Sequence, residues 1–97
     1  MQIEEKRNEI DAIDEAILDL LNRRAAIAQE ISLVKLGAGL PIVDEQREAE
    51  ILRRLAQANS GFIDDTAIAR IYRIILDESR RVQTKVRAEL AANGAGR

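Results

Sequence analysis

The sequence predicts an all-α fold of three helices, one of them very long. Its apolar residues recur at intervals of three and four, which is the spacing of one face of an α-helix. The residues that break helices fall in a few places, namely the single proline, Pro41, and the glycines at positions 37, 39, 61, 94 and 96. No stretch shows the alternating pattern of a strand, so each interval between these breaks is predicted to be helical.

The three predicted helices differ greatly in length. The first covers about residues 3–36 and carries a seam of apolar residues at Ile10, Ile13, Ile17, Leu20, Ile27, Ile31 and Val34. The second begins near Asp44, a good N-cap, ends at residues 59–61, and has an apolar face of Ile51, Leu52 and Leu55. The third begins near Asp64 or Asp65, and its predicted buried face contains Ile68, Ile71, Tyr72, Ile75, Leu76, Val82, Val86 and Leu90. Residues 1–97 are predicted to form a single domain whose last residues, 91–97, are a flexible tail.

The length of the first helix predicts a second copy of the chain. A helix of about 34 residues spans roughly 50 Å, and the second helix is less than half as long. One chain therefore cannot cover the whole apolar seam, and we expect an intertwined homodimer whose first helices pair over much of their length. The alternative is a monomeric hairpin formed by the first and third helices.

The composition excludes several kinds of chemistry. The chain has no cysteine and no histidine, so it lacks thiol nucleophiles, imidazole acid–base groups and the usual ligands of zinc and haem. We predict no metal and no cofactor. The net charge is −2 with both signs interleaved, and there are only one Phe, one Tyr and no Trp, so a nucleic-acid partner is not expected. The charged start of the sequence and the lack of a long apolar stretch predict a cytoplasmic protein without a membrane span.

Several charged side chains occupy positions where the helical pattern calls for apolar residues. Arg24 lies between Leu20 and Ile27 in the seam of the first helix, and Lys35 follows Arg24 by about three turns on the same face. Cations at such positions can extend to solvent, but several that converge on one region call for an anion. Further polar residues in comparable positions are Arg7, Arg47, Glu48, Ser79 and Gln83. The pattern predicts a polar pocket in a helical bundle that binds a small di-anion.

Arg7 is too far from this pocket to belong to it within one chain. It precedes Arg24 by 17 residues, or roughly 25 Å along a helix. In an antiparallel dimer, Arg7 of one chain can reach the pocket that contains Arg24 of the other.

These residues, in this order, resemble the all-α class of chorismate mutases. The resemblance covers about residues 3–90 and rests on RNEIDAID at 7–14, LLNRR at 20–24, VK at 34–35, PIVDEQRE at 41–48, IILDES at 74–79, and Gln83. It implies an intertwined homodimer with two equivalent sites and conversion of chorismate to prephenate, an intramolecular Claisen rearrangement within phenylalanine and tyrosine biosynthesis that requires no cofactor.

The resemblance also implies roles for individual residues. Arg24 and the other chain's Arg7 would bind the substrate carboxylates, with Arg47 adding a cation nearby and Ser79 supporting the carboxylate end. Lys35 and Gln83 would donate to the ether oxygen of the breaking bond and are the predicted catalytic residues. Glu48 and the backbone at Asp44 would bind the ring hydroxyl.

Two other functions fit parts of the pattern. Isochorismate pyruvate lyase has the same fold and also acts on a di-anion, but Glu48 suits the ring hydroxyl of chorismate and favours the mutase. A helical dimerisation or adaptor module would explain the amphipathic helices equally well. It would not explain Arg24, Lys35 and Gln83 on otherwise apolar faces.

Overall fold

The computed structural model describes residues 2–95, and this part of the chain is all-α, as predicted. It contains three helices: α1 (Gln2–Gly37), α2 (Glu45–Ala58) and α3 (Asp65–Ala95). The molecule is elongated, with principal extents of 63 × 28 × 16 Å, because α1 alone is about 54 Å long.

Local sequence signals set the helix ends. At the end of α1 the amide of Leu40 donates to the carbonyl of Lys35 and that of Gly39 to the carbonyl of Leu36, which is a Schellman motif. Gly39 has a φ of +70°, which a residue with a Cβ adopts only with strain. Asp44 caps α2 by accepting a hydrogen bond from the Arg47 amide at 3.0 Å, and Asp64 caps α3 by accepting one from the Ala67 amide at 2.7 Å.

Helix α3 packs against both other helices, whereas α1 and α2 do not pack against each other within residues 2–95. Helix α1 has two buried small residues, Ala28 and Ser32, which are 6% and 0% exposed. Ser32 Oγ donates to the carbonyl of Gln83 at 3.3 Å across the contact between α1 and α3. Because α2 lies on another side of α3, a gap remains between the second half of α1 and α2, and α3 forms its floor.

The first half of α1 has no intramolecular cover. Every residue from 2 to 23 is exposed, and so are all seven apolar residues of the predicted seam, from 45% at Ile31 to 72% at Val34. Large apolar side chains in such a contiguous row are typical of a surface that another chain covers.

The end of α3 differs from the prediction. The sequence predicted a flexible tail over residues 91–97, but the helix continues through Ala95, and residues 96–97 lie outside the described part of the chain. Ala91 and Ala92 are strong helix formers, and the single glycine at position 94 costs only about 1 kcal/mol within a helix. Among the described helices, none combines the length and the apolar character that crossing a membrane requires.

Candidate active site

A cavity of about 420 Å³ occupies the gap between α1 and α2. This volume lies within the range of sites that bind small molecules. The cavity is lined by Arg24, Ile27, Ala28, Ile31 and Lys35 from α1, by Ile42 and Asp44 from the connecting loop, by Arg47, Glu48 and Ile51 from α2, and by Leu76, Ser79, Arg80 and Gln83 from α3. Seven of the eight predicted site residues thus surround one cavity, and the exception is Arg7.

Arg24 extends from α1 across the cavity toward α3. Its Nη1 donates to Ser79 Oγ, and Ser79 Oγ donates in turn to the carbonyl of Ile75 at 3.2 Å. The carbonyl of Ile75 therefore orients the Ser79 hydroxyl, and the oxygen of that hydroxyl in turn orients the Arg24 guanidinium. The remaining N–H groups of Arg24 are available to an anion, because guanidinium has five donors.

Lys35 closes the end of the cavity formed by the loop. The Schellman turn brings the chain back over the last turn of α1, so that Lys35 Nζ donates to the carbonyl of Ile42 at 2.8 Å. An ammonium group has three donors, and this bond uses one of them. The loop is also held from α3, where Arg87 Nη2 donates to the carbonyl of Leu40 at 2.6 Å.

Gln83 is the most buried polar residue of the cavity wall, at 7% exposed. Its Oε1 is buried and has no hydrogen-bond partner among the described residues. A buried amide oxygen without a partner costs free energy. Ser32 fixes the backbone at Gln83 through the contact between α1 and α3.

Glu48 is held by two arginines of α3. Arg80 donates from Nε to Oε2 at 2.7 Å and from Nη2 to Oε1 at 2.6 Å, and Arg73 Nη1 donates to Oε1 at 3.1 Å. The hydrogen bonds from Arg80 are the largest cause that lowers the pKa of Glu48 below its usual value. The single bond from Arg73 lowers it further, while partial burial raises it. The same pairing with Glu48 raises the pKa of Arg80. Glu48 is therefore an anion near neutral pH and can only accept hydrogen bonds.

Asp44 and Arg47 lie at the start of α2 on the edge of the cavity. Asp44 Oδ1 caps the helix and the Asp44 carbonyl accepts from the Glu48 amide at 3.1 Å, so the backbone group of Asp44 without a partner among the described residues is its N–H. Arg47 is exposed and pairs with Glu50 at 2.5 Å. Surface pairs of this kind contribute little free energy, so Arg47 can exchange Glu50 for an anion in the cavity at small cost.

Arg7 lies away from this cavity. It lines a separate shallow depression at the start of α1 with Gln2, Ile3, Glu5, Lys6 and Ile10. Arg24 follows Arg7 by 17 residues of continuous helix, so the two lie roughly 25 Å apart along the axis.

The partners of Glu48, Arg80 and Arg73, were not among the site residues predicted from the sequence. Arg80 follows the buried Leu76 by four residues, so its helical spacing placed it on the inner face of α3. The side chain of Arg73 is about half exposed, and no local pattern marks it as a partner of a residue on α2.

The charges around the cavity suit a doubly charged anion. Four cations (Arg24, Lys35, Arg47 and Arg80) and two carboxylates (Asp44 and Glu48) line it, which leaves an excess of two positive charges. Within residues 2–95, no group of three or more acidic, histidine or cysteine side chains is arranged to hold a metal ion. The apolar part of the lining, mainly isoleucines, provides a surface for a carbon skeleton.

Comparisons with known proteins agree on one family. The family model described as "Chorismate mutase type II" matches residues 6–84. The bifunctional chorismate mutase/prephenate dehydratase of Aquifex aeolicus is 38% identical over 90 residues, which are 89% of this chain and 25% of that protein. The chain thus spans about a quarter of the length of this relative. The chorismate mutase of Methanocaldococcus jannaschii is 29% identical over 85 residues, which are 84% of each chain.

Solved structures show the same likeness in three dimensions. The Form II structure of chorismate mutase from Thermus thermophilus superimposes with a TM-score of 0.85 at 32% identity, covering 87% of this chain and 96% of that one. Chorismate mutase from Helicobacter pylori, solved in complex with prephenate, gives a TM-score of 0.83 at 36% identity, covering 90% of this chain and 94% of that one.

Proposed function

This chain belongs to the type II chorismate mutase family, and on that premise we propose that it is an isomerase that converts chorismate to prephenate. The reaction is an intramolecular Claisen rearrangement in the biosynthesis of phenylalanine and tyrosine. The observation that carries the proposal is the meeting of Arg24, Lys35 and Gln83, from two different helices, around one cavity with an excess of positive charge.

The proposed mechanism assigns the protein two physical tasks. The first is to hold the flexible enolpyruvyl arm of chorismate over its ring, which removes the entropic part of the barrier. Arg24, with Ser79 behind it, and Arg47 bind the two carboxylates for this purpose. The isoleucines of the lining enclose the ring between them.

The second task is to stabilise the negative charge that develops on the ether oxygen as its bond to the ring lengthens. Lys35 and Gln83 are the proposed donors, since both line the cavity and both retain unused N–H groups. Donors that are fixed in place before the reaction lower the barrier without having to reorganise during it. No residue has to act as a nucleophile, because every bond that breaks or forms lies within the substrate.

Glu48 is the proposed acceptor for the ring hydroxyl, and the backbone at Asp44 is the second proposed contact of that hydroxyl. The lowered pKa of Glu48 supports its role as acceptor, because a carboxylate accepts a stronger hydrogen bond from a hydroxyl than a carboxylic acid does.

We further propose that the protein is a homodimer with shared sites, in which Arg7 of one chain completes the cavity of the other. The exposed apolar row of α1 supports this proposal, because a second α1 that runs antiparallel would cover it. In the same arrangement the other chain's Arg7 would lie beside the cavity that contains Arg24. Within one chain the two residues are roughly 25 Å apart along the helix. A cytoplasmic location is part of the proposal, with which the lack of cysteine agrees.

A direct assay tests the proposed activity. Purified protein is mixed with chorismate, the loss of substrate absorbance is followed, and the product is identified by chromatography. Prephenate is the expected product. Salicylate and pyruvate from isochorismate, without prephenate from chorismate, would identify the lyase instead. A folded protein that acts on neither substrate would refute the proposed activity and leave the adaptor module.

The role of Gln83 predicts a flat pH profile. Because an amide donates a hydrogen bond at any ordinary pH, we expect kcat/KM of the wild type to be constant from about pH 5 to about pH 8. In Gln83→Glu the side chain donates only while it is protonated, so kcat/KM should fall about tenfold per pH unit once the carboxyl ionises.

The matched control for this variant is Gln57→Glu, which introduces the same charge on the exposed side of α2. It should retain the flat profile. A loss of wild-type activity above about pH 6, or a flat profile in Gln83→Glu, would refute the role of Gln83 as the amide donor.

A further inference from the structure

We infer that Arg80 is a positioning residue: its two-point contact with Glu48 fixes the carboxylate so that one acceptor site remains for the ring hydroxyl of the substrate. The inference rests on the proposed function and adds a residue to which that proposal gives no part. Arg80 lines the same cavity as Glu48 but reaches it from α3, whereas Glu48 projects from α2.

The count of hydrogen bonds on Glu48 supports this role. A carboxylate has about four acceptor sites, two on each oxygen. Oε1 accepts from both Arg80 and Arg73 and is therefore filled, whereas Oε2 accepts only from Arg80 Nε. One site on Oε2 is left. The side chain of Glu48 is 13% exposed, so bulk water has little access to that site and a ligand in the cavity can occupy it.

Arg80 contributes more to this arrangement than Arg73 does. Arg80 makes two short bonds, in the fork geometry in which a guanidinium binds a carboxylate, whereas Arg73 makes one longer bond and is itself 48% exposed. Two parallel bonds prevent rotation of the carboxylate about its last torsion, which a single bond does not. Arg80 therefore fixes the orientation of the carboxylate, while the bond from Arg73 fills the second site on Oε1 and leaves the free site on Oε2.

The charges around Glu48 set the sign of the pH effect. Besides Arg80 and Arg73, the charged side chains of the surrounding elements are Asp77 on α3, Asp44, Glu45 and Arg47 at the start of α2, and Arg24 and Lys35 on α1. The hydrogen bonds from Arg80 are the largest contribution that lowers the pKa of Glu48, while burial raises it. Removing Arg80 should therefore raise this pKa. As the pH falls, ligand binding that depends on the ionised carboxylate should then begin to weaken at a higher pH in the variant than in the wild type.

The test compares Arg80→Leu and Arg80→Lys with Arg81→Leu. Arg81 is the adjacent arginine on the outer side of α3, where it pairs with Glu78 and both side chains are more than half exposed. For Arg80→Leu we expect KM for chorismate to rise about tenfold at pH 7, with kcat changed by less than about threefold, because the ring hydroxyl takes no part in the bonds that break and form. Arg80→Lys keeps the charge without the fork and should show most of the same rise. Arg81→Leu should match the wild type.

Binding of two ligands distinguishes positioning from simple attraction between charges. The dissociation constants are measured for prephenate and for an analogue in which hydrogen replaces the ring hydroxyl. If Arg80 acts through Glu48, the wild type prefers prephenate about tenfold, and Arg80→Leu loses most of this preference. If Arg80 acts only as a cation, both ligands weaken equally in Arg80→Leu and the preference is unchanged. That result would overturn the inference.

Titration of Glu48 provides a readout that does not depend on activity. The carbon-13 shift of its carboxyl group is followed against pH in the wild type and in Arg80→Leu, and the midpoint should be higher in the variant. An unchanged midpoint would refute the coupling. A wild type that neither converts chorismate nor binds prephenate would refute the proposed function, whereas an active wild type with an unaltered Arg80→Leu would refute only the role of Arg80.

Discussion

Replacing Lys35 with alanine is expected to lower kcat for chorismate by about 100- to 1,000-fold, the usual effect of removing one donor to a developing oxyanion. The charge on the ether oxygen is much larger in the transition state than in the bound substrate. A donor to that oxygen therefore acts mainly on turnover, and KM should change far less than kcat. Gln83 cannot replace Lys35, because an amide carries no positive charge.

The structure assigns Lys35 a second contact, which the experiment has to separate from the first. Lys35 Nζ holds the carbonyl of Ile42 at 2.8 Å, so Lys35→Ala also releases the loop from the end of α1. Arg87 provides the comparison, because its side chain holds the carbonyl of the nearby Leu40. Arg87→Leu loosens the loop without removing a proposed donor to the substrate, and we expect it to lower kcat by less than about tenfold.

Steady-state kinetics with chorismate measure both variants, and Lys85→Ala, an exposed lysine of α3, is the control for loss of charge. Circular dichroism and thermal unfolding show whether each variant is folded. A folded Lys35→Ala with a kcat within about threefold of the wild type would refute the role of Lys35. Equal losses in Lys35→Ala and Arg87→Leu would assign the effect to the loop.

The helices could be predicted closely because the signals that end them are local. Asp44 and Asp64 are short side chains that satisfy free amides at the starts of α2 and α3, and Gly39 permits the turn that ends α1. The prediction for the first helix, about 3–36, differs by one residue at each end from the observed Gln2–Gly37. The end of α3 has no such signal before Ala95, and there the prediction differed from the structure.

The sequence predicts which site residues share a face of one helix, but not which residues of different helices meet. Helical spacing shows that Arg24 and Lys35 share one face of α1 and that Ser79 and Gln83 share one face of α3. It does not show that Arg24 donates to Ser79, because that contact depends on how the two helices rotate against each other at Ala28 and Ser32.

The pairing of Glu48 with Arg80 joins residues 32 positions apart on α2 and α3. It depends on the geometry of the turn between those helices, which no periodicity in the sequence encodes. The resemblance to a family implied roles for the eight predicted site residues but none for Arg80. The contacts of Arg80 can be seen only in the three-dimensional structure.

Mixing two inactive variants is expected to restore activity if the sites are shared between two chains. Arg7→Ala removes Arg7 from both sites of a dimer, and Lys35→Ala removes Lys35 from both, so each variant alone should lose at least about 100-fold in kcat/KM. In a mixed dimer, the cavity of the Arg7→Ala chain keeps its own Lys35 and receives an intact Arg7 from the other chain. That site is complete, and the second site lacks both residues.

The expected recovery follows from counting. Random pairing of equal amounts makes about half of the dimers mixed, and one of the two sites in each is complete, so about a quarter of the wild-type activity should return. The chains are unfolded together and refolded, or coexpressed, so that subunits exchange. The kinetics are then measured against a mixture of the same two proteins that was never allowed to exchange.

The matched control is the pair Arg24→Ala and Lys35→Ala. Arg24 and Lys35 line the same cavity of one chain, so every cavity in a mixed dimer of these variants lacks one of them. No recovery is expected. Recovery in this control would mean that residues of one cavity act in different chains, which the geometry of α1 forbids.

Absence of recovery with Arg7→Ala and Lys35→Ala, in a protein whose mass in solution is that of a dimer, would show that Arg7 serves its own chain or no site at all. The exposed apolar row of α1 would then be an interface without catalytic consequence.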